Sequence, residues 1–163
     1  MSTTILYHMF GIRGDRLVRE KIVDGGMEFH ISIPREKVCC PDCGSTNVWL
    51  NGSQERRFRS VPMGSKATSI LLEVPRVHCQ DCHCKKQVSI SFAKPHKRYT
   101  RFFELHVLDL LCSMTCQDVA DHLGVSWDTV RDINKRRVQR EKNTKLCTLH
   151  SDFCTLQAFV SVC

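Results

Sequence analysis

Among the 11 cysteines of this 163-residue chain, four fall in two Cys-x-x-Cys pairs, Cys40 with Cys43 and Cys79 with Cys82. Two intervening residues let both sulfurs of a tight turn face one ion, and Pro41 and Gly44 supply turn chemistry around the first pair. Four thiolates are the tetrahedral donor set of structural zinc, which leaves no open position for a catalytic water. The expected cofactor is therefore one structural Zn2+ on Cys40, Cys43, Cys79 and Cys82. Cys39, Cys84, His78 and His83 stand near enough in sequence to substitute as ligands. An iron–sulfur cluster also takes four thiolates, and a redox pair needs a thioredoxin-like βαβ context that is not evident. Cys112, Cys116, Cys147, Cys154 and Cys163 have no partner spacing and read as small apolar residues.

A second chemistry is electrostatic. The net charge is +7, yet it is concentrated in two stretches. Residues 85–101 hold six basic residues and no acid, and residues 131–145 hold seven against Asp132 and Glu141, so the rest of the chain sums to −4. Such stripes suit a polyanion, because each neutralised phosphate releases bound counterions; alone, a charge run is also an ordinary solvated face. No apolar run approaches the ~20 residues that span a bilayer, and Met1 to Gly14 does not read as a secretory signal. An odd cysteine count without such a signal argues against a disulfide framework. A cytoplasmic protein with no membrane partner is expected.

The elements that must position these groups follow from periodicity. Phe29, Ile31 and Ile33 alternate after the turn Asp24-Gly25-Gly26. Val48 to Leu50, Arg56 to Val61 and Ser69 to Val77 are strand-like runs, broken at Asn51-Gly52 and at Pro62-Met63-Gly64-Ser65. Gln87 to Phe92 alternates again. The 35 residues between the cysteine pairs thus form a β insert, and its small sheet needs metal to make up for a thin core.

Beyond Lys94-Pro95-His96-Lys97-Arg98 the period becomes helical. Thr100 caps a helix over 101–112, with Phe103, Val107, Leu110 and Leu111 on one side. Thr115 caps a short helix with Asp118 near a capping-box position, Gly124 makes the turn, and Ser126 caps a second helix through Arg137. Ala120, Val119, Leu123, Val125, Val130 and Ile133 form its inner face, a helix-turn-helix spacing. Ser126, Trp127, Asp128 and Arg131 are then placed to meet base edges, with Trp127 also able to pack on the first helix. Lys135, Arg136 and Arg140, together with Lys97, Arg98 and Arg101, are suited to phosphates.

The runs Cys-Pro-Asp-Cys-Gly-Ser at 40–45, Glu55 to Pro62 and Val74 to Cys82 resemble the N-terminal zinc finger of the ISL-three (ISL3) family of bacterial insertion-sequence transposases. Gln117 to Val130 resembles the helix-turn-helix of the same family. The resemblance implies binding to transposon terminal inverted repeats on double-stranded DNA, ahead of a DDE nuclease domain. After Arg140 only 23 residues remain, and Asp152 is the only acid after Glu141. No catalytic residue carries over, so a truncated, non-enzymatic fragment is expected.

The expected fold class is α+β, a small zinc-stapled antiparallel β domain followed by an all-α helix-turn-helix domain. The expected parts are a β-hairpin region (1–37), a zinc-ribbon β domain (38–93), a basic linker (94–98), the helix-turn-helix (99–140) and an aberrant or disordered tail (141–163). Intact transposase or a second copy are further candidate partners, with nucleoid association when DNA is bound. The competing readings are a free-standing transcriptional regulator, an enzyme completed in trans or by frameshifting, and a zinc-ribbon protein-interaction module.

Overall fold

Strand order in the sheet is what brings the two cysteine pairs together. The computed structural model describes residues 3–139, and the expected tail (141–163) lies outside them. Contacts divide the chain into two compact units, residues 1–106 and residues from 107 onward, the division falling inside a helix. The first unit contains α1 (Thr3–Phe10), β1 (Arg16–Val23), β2 (Gly26–Ser32), a 3-10 turn at Arg35–Lys37, β3 (Val48–Met63), β4 (Lys66–Cys79) and β5 (Lys85–Gln87). The sheet runs β1-β2-β4-β3, with β5 pairing with β4. All pairs are antiparallel except β2 with β4, where Phe29 lies opposite Ile70 in a parallel register.

β3 and β4 form one long hairpin around Gly64-Ser65, so that its far end sets Val48 opposite Cys79. Asn51-Gly52, expected to break a strand, instead sits in a register shift between Leu50 and Ser53, with Gly52 at φ 79°. The strand bends there and continues. Of the expected strand Gln87 to Phe92 only Gln87 is in the sheet, as the last residue of β5; the Val88 amide still bonds Pro75 O (3.0 Å), and beyond it the chain buries Phe92.

One face of the sheet is covered. Phe29, Ile31, Phe58, Ile70, Leu72 and Val74 pack with Phe92 and with Leu6 and Phe10 of α1. The Phe10 ring lies 5.2 Å from Phe29, and Phe58 meets Phe92 edge-on at 5.3 Å. The helix α1 was not anticipated within the expected hairpin region; it supplies the lid this small sheet needs. The opposite face carries Glu28, His30, Ser69 and Arg57, and Arg57 pairs with Glu28 at 2.5 Å.

Helix α2 (Arg101–Leu110) begins at Thr100, whose hydroxyl accepts the Phe103 amide at 3.1 Å. In the second unit α3 (Cys116–Leu123) is followed by α4 at residues 127–139. The observed architecture is the expected α+β class: a mostly antiparallel sheet bearing a cysteine cluster, then C-terminal helices.

Candidate metal centre and nucleic-acid interface

Each cysteine pair sits in a turn closed by backbone hydrogen bonds. In the first, the Cys40 amide donates to Ser45 O (2.8 Å) and the Gly44 amide to Cys40 O (3.0 Å). In the second, the Cys79 amide donates to Cys84 O (3.0 Å), and the Gln80 amide reaches Asn47 O (3.1 Å) beside the first turn. Gly44 follows Cys43 at φ 74°, and His83 follows Cys82 at φ 56°. The turns therefore share a left-handed exit, with glycine in one and histidine in the other. Asn47 donates to Asp81 (3.2 Å), and Lys86 holds Asp42 at 2.8 Å, so both turns are braced from outside.

The Sγ atoms of Cys40, Cys43, Cys79 and Cys82 all lie within 4.8 Å of one another. Cys40 is 3.5 Å from Cys82, and Cys43 is 3.5 Å from Cys79. A tetrahedral ion with Zn–S bonds of about 2.3 Å spaces its sulfurs about 3.8 Å apart. The four thiols thus fit one zinc ion with little movement. Cys84 approaches Cys40 at 3.2 Å but stays outside the mutually close set, as do Cys39, His78 and His83.

The thiols of the cluster act on one another electrostatically. Hydrogen bonds to the Cys43 amide, and then to the Asp42 amide and the neighbouring thiols, bring Cys40 down to about 6. The Ser45 amide pulls Cys43 the same way, but the thiols of Cys82, Cys40 and Cys79 outweigh it and push Cys43 up to about 12. Its hydrogen bond with Cys40 likewise pushes Cys84 up. One thiolate forms and discourages the next, and a bound dication removes that conflict. Zn2+ here would neutralise charge and fix two turns, a structural task.

The helical unit has its own ordering devices. The Thr115 hydroxyl accepts the Asp118 amide (3.2 Å) while the Asp118 carboxylate accepts the Thr115 amide (3.3 Å), a complete capping box. At the other end of α3, Gly124 is left-handed at φ 61°, with its amide bonded to Asp121 O (3.3 Å) and the Val125 amide to Ala120 O (3.0 Å). That is a Schellman ending, and it turns the chain sharply into α4. Val119, Ala120 and Leu123 of α3 and Val130 and Ile133 of α4 are buried, and Val125 is half-buried.

At the start of α4, Ser126, Trp127 and Asp128 are exposed. The Ser126 and Thr129 hydroxyls are bonded at 2.9 Å. Arg131 does not extend freely: its guanidinium lies 4.7 Å from the Trp127 ring centroid and 3.3 Å from the Asp128 carboxylate. Trp127, 42 % exposed, carries the Arg131 guanidinium on its ring. Lys135 is exposed, Arg136 donates to Asp132 O at 2.9 Å, and Arg140 lies outside the described residues.

Lys97, Arg98 and Arg101 lie on and after the segment expected to be a linker, and that segment is fixed to the first unit. The Arg59 amide donates to Arg98 O (2.8 Å), the Thr100 amide to Arg59 O (2.9 Å), and Lys94 pairs with Glu104. Sequence reasoning overlooked the arginines of β3 beside it, Arg56 and Arg59. Their signals were a dense basic run and their place in the stretch Glu55 to Pro62 that carries the family resemblance.

Compared with known protein families, residues 36–82 match the zinc-finger of transposase IS204/IS1001/IS1096/IS1165. Residues 88–138 match the helix-turn-helix domain of transposase family ISL3. No curated protein and no solved structure matches the chain. No helix among the described residues is long and apolar enough to cross a membrane.

Proposed function

The chain carries the zinc ribbon and the helix-turn-helix of the ISL3 transposase family, and from that premise we propose that it recognises the terminal inverted repeats of an insertion element. Both modules belong to the DNA-binding part of such a transposase, so double-stranded DNA is the partner they imply. The supporting observation is the geometry of α3 and α4, where a capped, glycine-terminated first helix presents the N-terminus of the second. In helix-turn-helix proteins that N-terminus enters the major groove. Ser126, Trp127, Asp128 and Arg131 face the bases in this reading. Asp128 and Trp127 hold the Arg131 fork flat, ready to exchange the carboxylate for a guanine edge. Lys135, Arg136, Arg140, Lys97, Arg98 and Arg101 take phosphates. Zinc on Cys40, Cys43, Cys79 and Cys82 holds the ribbon in shape and does no chemistry on DNA.

Selection of zinc-loaded full chain against a random duplex library tests this. An enriched motif found at insertion-element ends supports the proposal. A motif belonging to promoters favours a free-standing regulator, and no enriched motif overturns specific recognition. Arg131→Ala should cost about 1–3 kcal/mol on the preferred site and relax preference at one position.

A further inference from the structure

The edge strand β3 and the segment 94–100 enclose an open cleft of about 640 Å³ in the first unit. Its walls carry Arg56, Arg57, Arg59, His96 and Arg98, with Glu55 the single acid among the lining residues. Arg57 is committed to Glu28 across the sheet. Arg56 is held otherwise: its guanidinium lies 5.0 Å from the Phe58 ring centroid and donates to Lys97 O at 3.4 Å. Arg98 is exposed, and its carbonyl is tied to the Arg59 amide. Residues two apart on a strand direct their amides the same way, so those of Arg57 and Glu55 point to the cleft side, as that of Arg59 does.

Such walls reject an apolar ligand, which wants a hydrophobic pocket. They suit an oxyanion with several acceptor atoms, and a planar guanidinium meets phosphate better than a lysine does. We propose that this cleft is a second DNA-backbone site, in which Arg56 and Arg98 grip phosphates independently of α4. The zinc-ribbon unit then contributes affinity without sequence information, while the helical unit selects sequence. The proposal rests on the DNA-binding reading, because duplex DNA supplies the dense row of phosphates, one charge per ~1.7 Å.

Binding of the zinc-loaded full chain to a labelled 30-base-pair duplex of arbitrary sequence, titrated between 50 and 200 mM salt, tests it. Each phosphate contact contributes about 0.9 to the slope of log affinity against log salt. The Arg56→Gln/Arg98→Gln variant should therefore flatten that slope by about 1.8, while Arg56→Lys/Arg98→Lys keeps most of it. Zinc content and circular dichroism establish that each variant is folded. A folded glutamine variant with the wild-type slope overturns the cleft alone, leaving recognition by α4 standing. A loss confined to the selected motif, with arbitrary DNA unaffected, also overturns it. Wild-type protein that does not bind the arbitrary duplex overturns the cleft, while recognition by α4 stands or falls on the selected motif.

Discussion

Replacing His83 by glycine should tighten the metal site, although histidine is a familiar zinc ligand. His83 stands at φ 56° directly after Cys82, where Gly44 stands at φ 74° after Cys43. A side-chain-bearing residue in the left-handed region costs roughly 1–2 kcal/mol. Glycine relieves that strain but widens the unfolded ensemble, which returns about 0.4–1 kcal/mol. The net gain is about 0.5–1 kcal/mol. Since metal binding and folding of the ribbon are linked, that gain appears as a two- to five-fold rise in apparent zinc affinity, using about 1.4 kcal/mol per tenfold. The reverse change, Gly44→His, should weaken zinc by a similar factor. A Cβ at Gly44 meets nothing within 4 Å, so the backbone angle is the only cost. Competition against a chromophoric chelator at fixed pH measures both. A His83→Gly variant that loses zinc tenfold or more would refute the reasoning and make the imidazole a ligand.

Purified protein should hold about one zinc per chain, and Cys79→Ser or a strong chelator should unfold the ribbon; cooperative unfolding unchanged by chelation would remove the site. Thr115→Ala deletes the hydroxyl half of the capping box and should cost about 1 kcal/mol in thermal unfolding of the helical unit. Lys94→Met removes the cation at 2.5 Å from Glu104, which is 5 % exposed, and should cost about 3 kcal/mol. Adding Glu104→Gln should recover part of that loss in urea unfolding, and no recovery would mean that Lys94 acts through packing.

The chemistry was more legible than the topology. Cysteine spacing identified the mutually close thiols, because two residues per turn is a local constraint. Thr115, Gly124 and the apolar positions located the helix-turn-helix for the same reason, since caps and periodicity are written within a dozen residues. The parallel pairing of β2 with β4 is not local. It depends on which strand edge β4 reaches after the hairpin closes. Asn51-Gly52 carries a turn signature but lies in a strand held on both sides of the bend by partners on β4. The short helix α1 offers too few turns for its periodicity to stand out, and Leu6 and Phe10 gain their role only against the sheet. The arginine cleft arises only when residues 94–100 lie down beside β3.

The long β3–β4 hairpin has a consequence for how the protein is made. Cys40 and Cys79 are 39 residues apart, and they meet only when the strands have closed along their length, from Gly64-Ser65 to Val48 and Cys79. At a synthesis rate of 5–20 residues per second, the first knuckle waits about 2–8 s for the second to be made. Throughout that interval Cys40 and Cys43 are open to oxidants and to competing metals. A pairing slip of one residue would turn Cys79 to the opposite face and leave a hairpin that holds no ion. Metal capture is therefore a late checkpoint on β-strand register, and the zinc content of newly made protein measures the fraction of chains that have passed it.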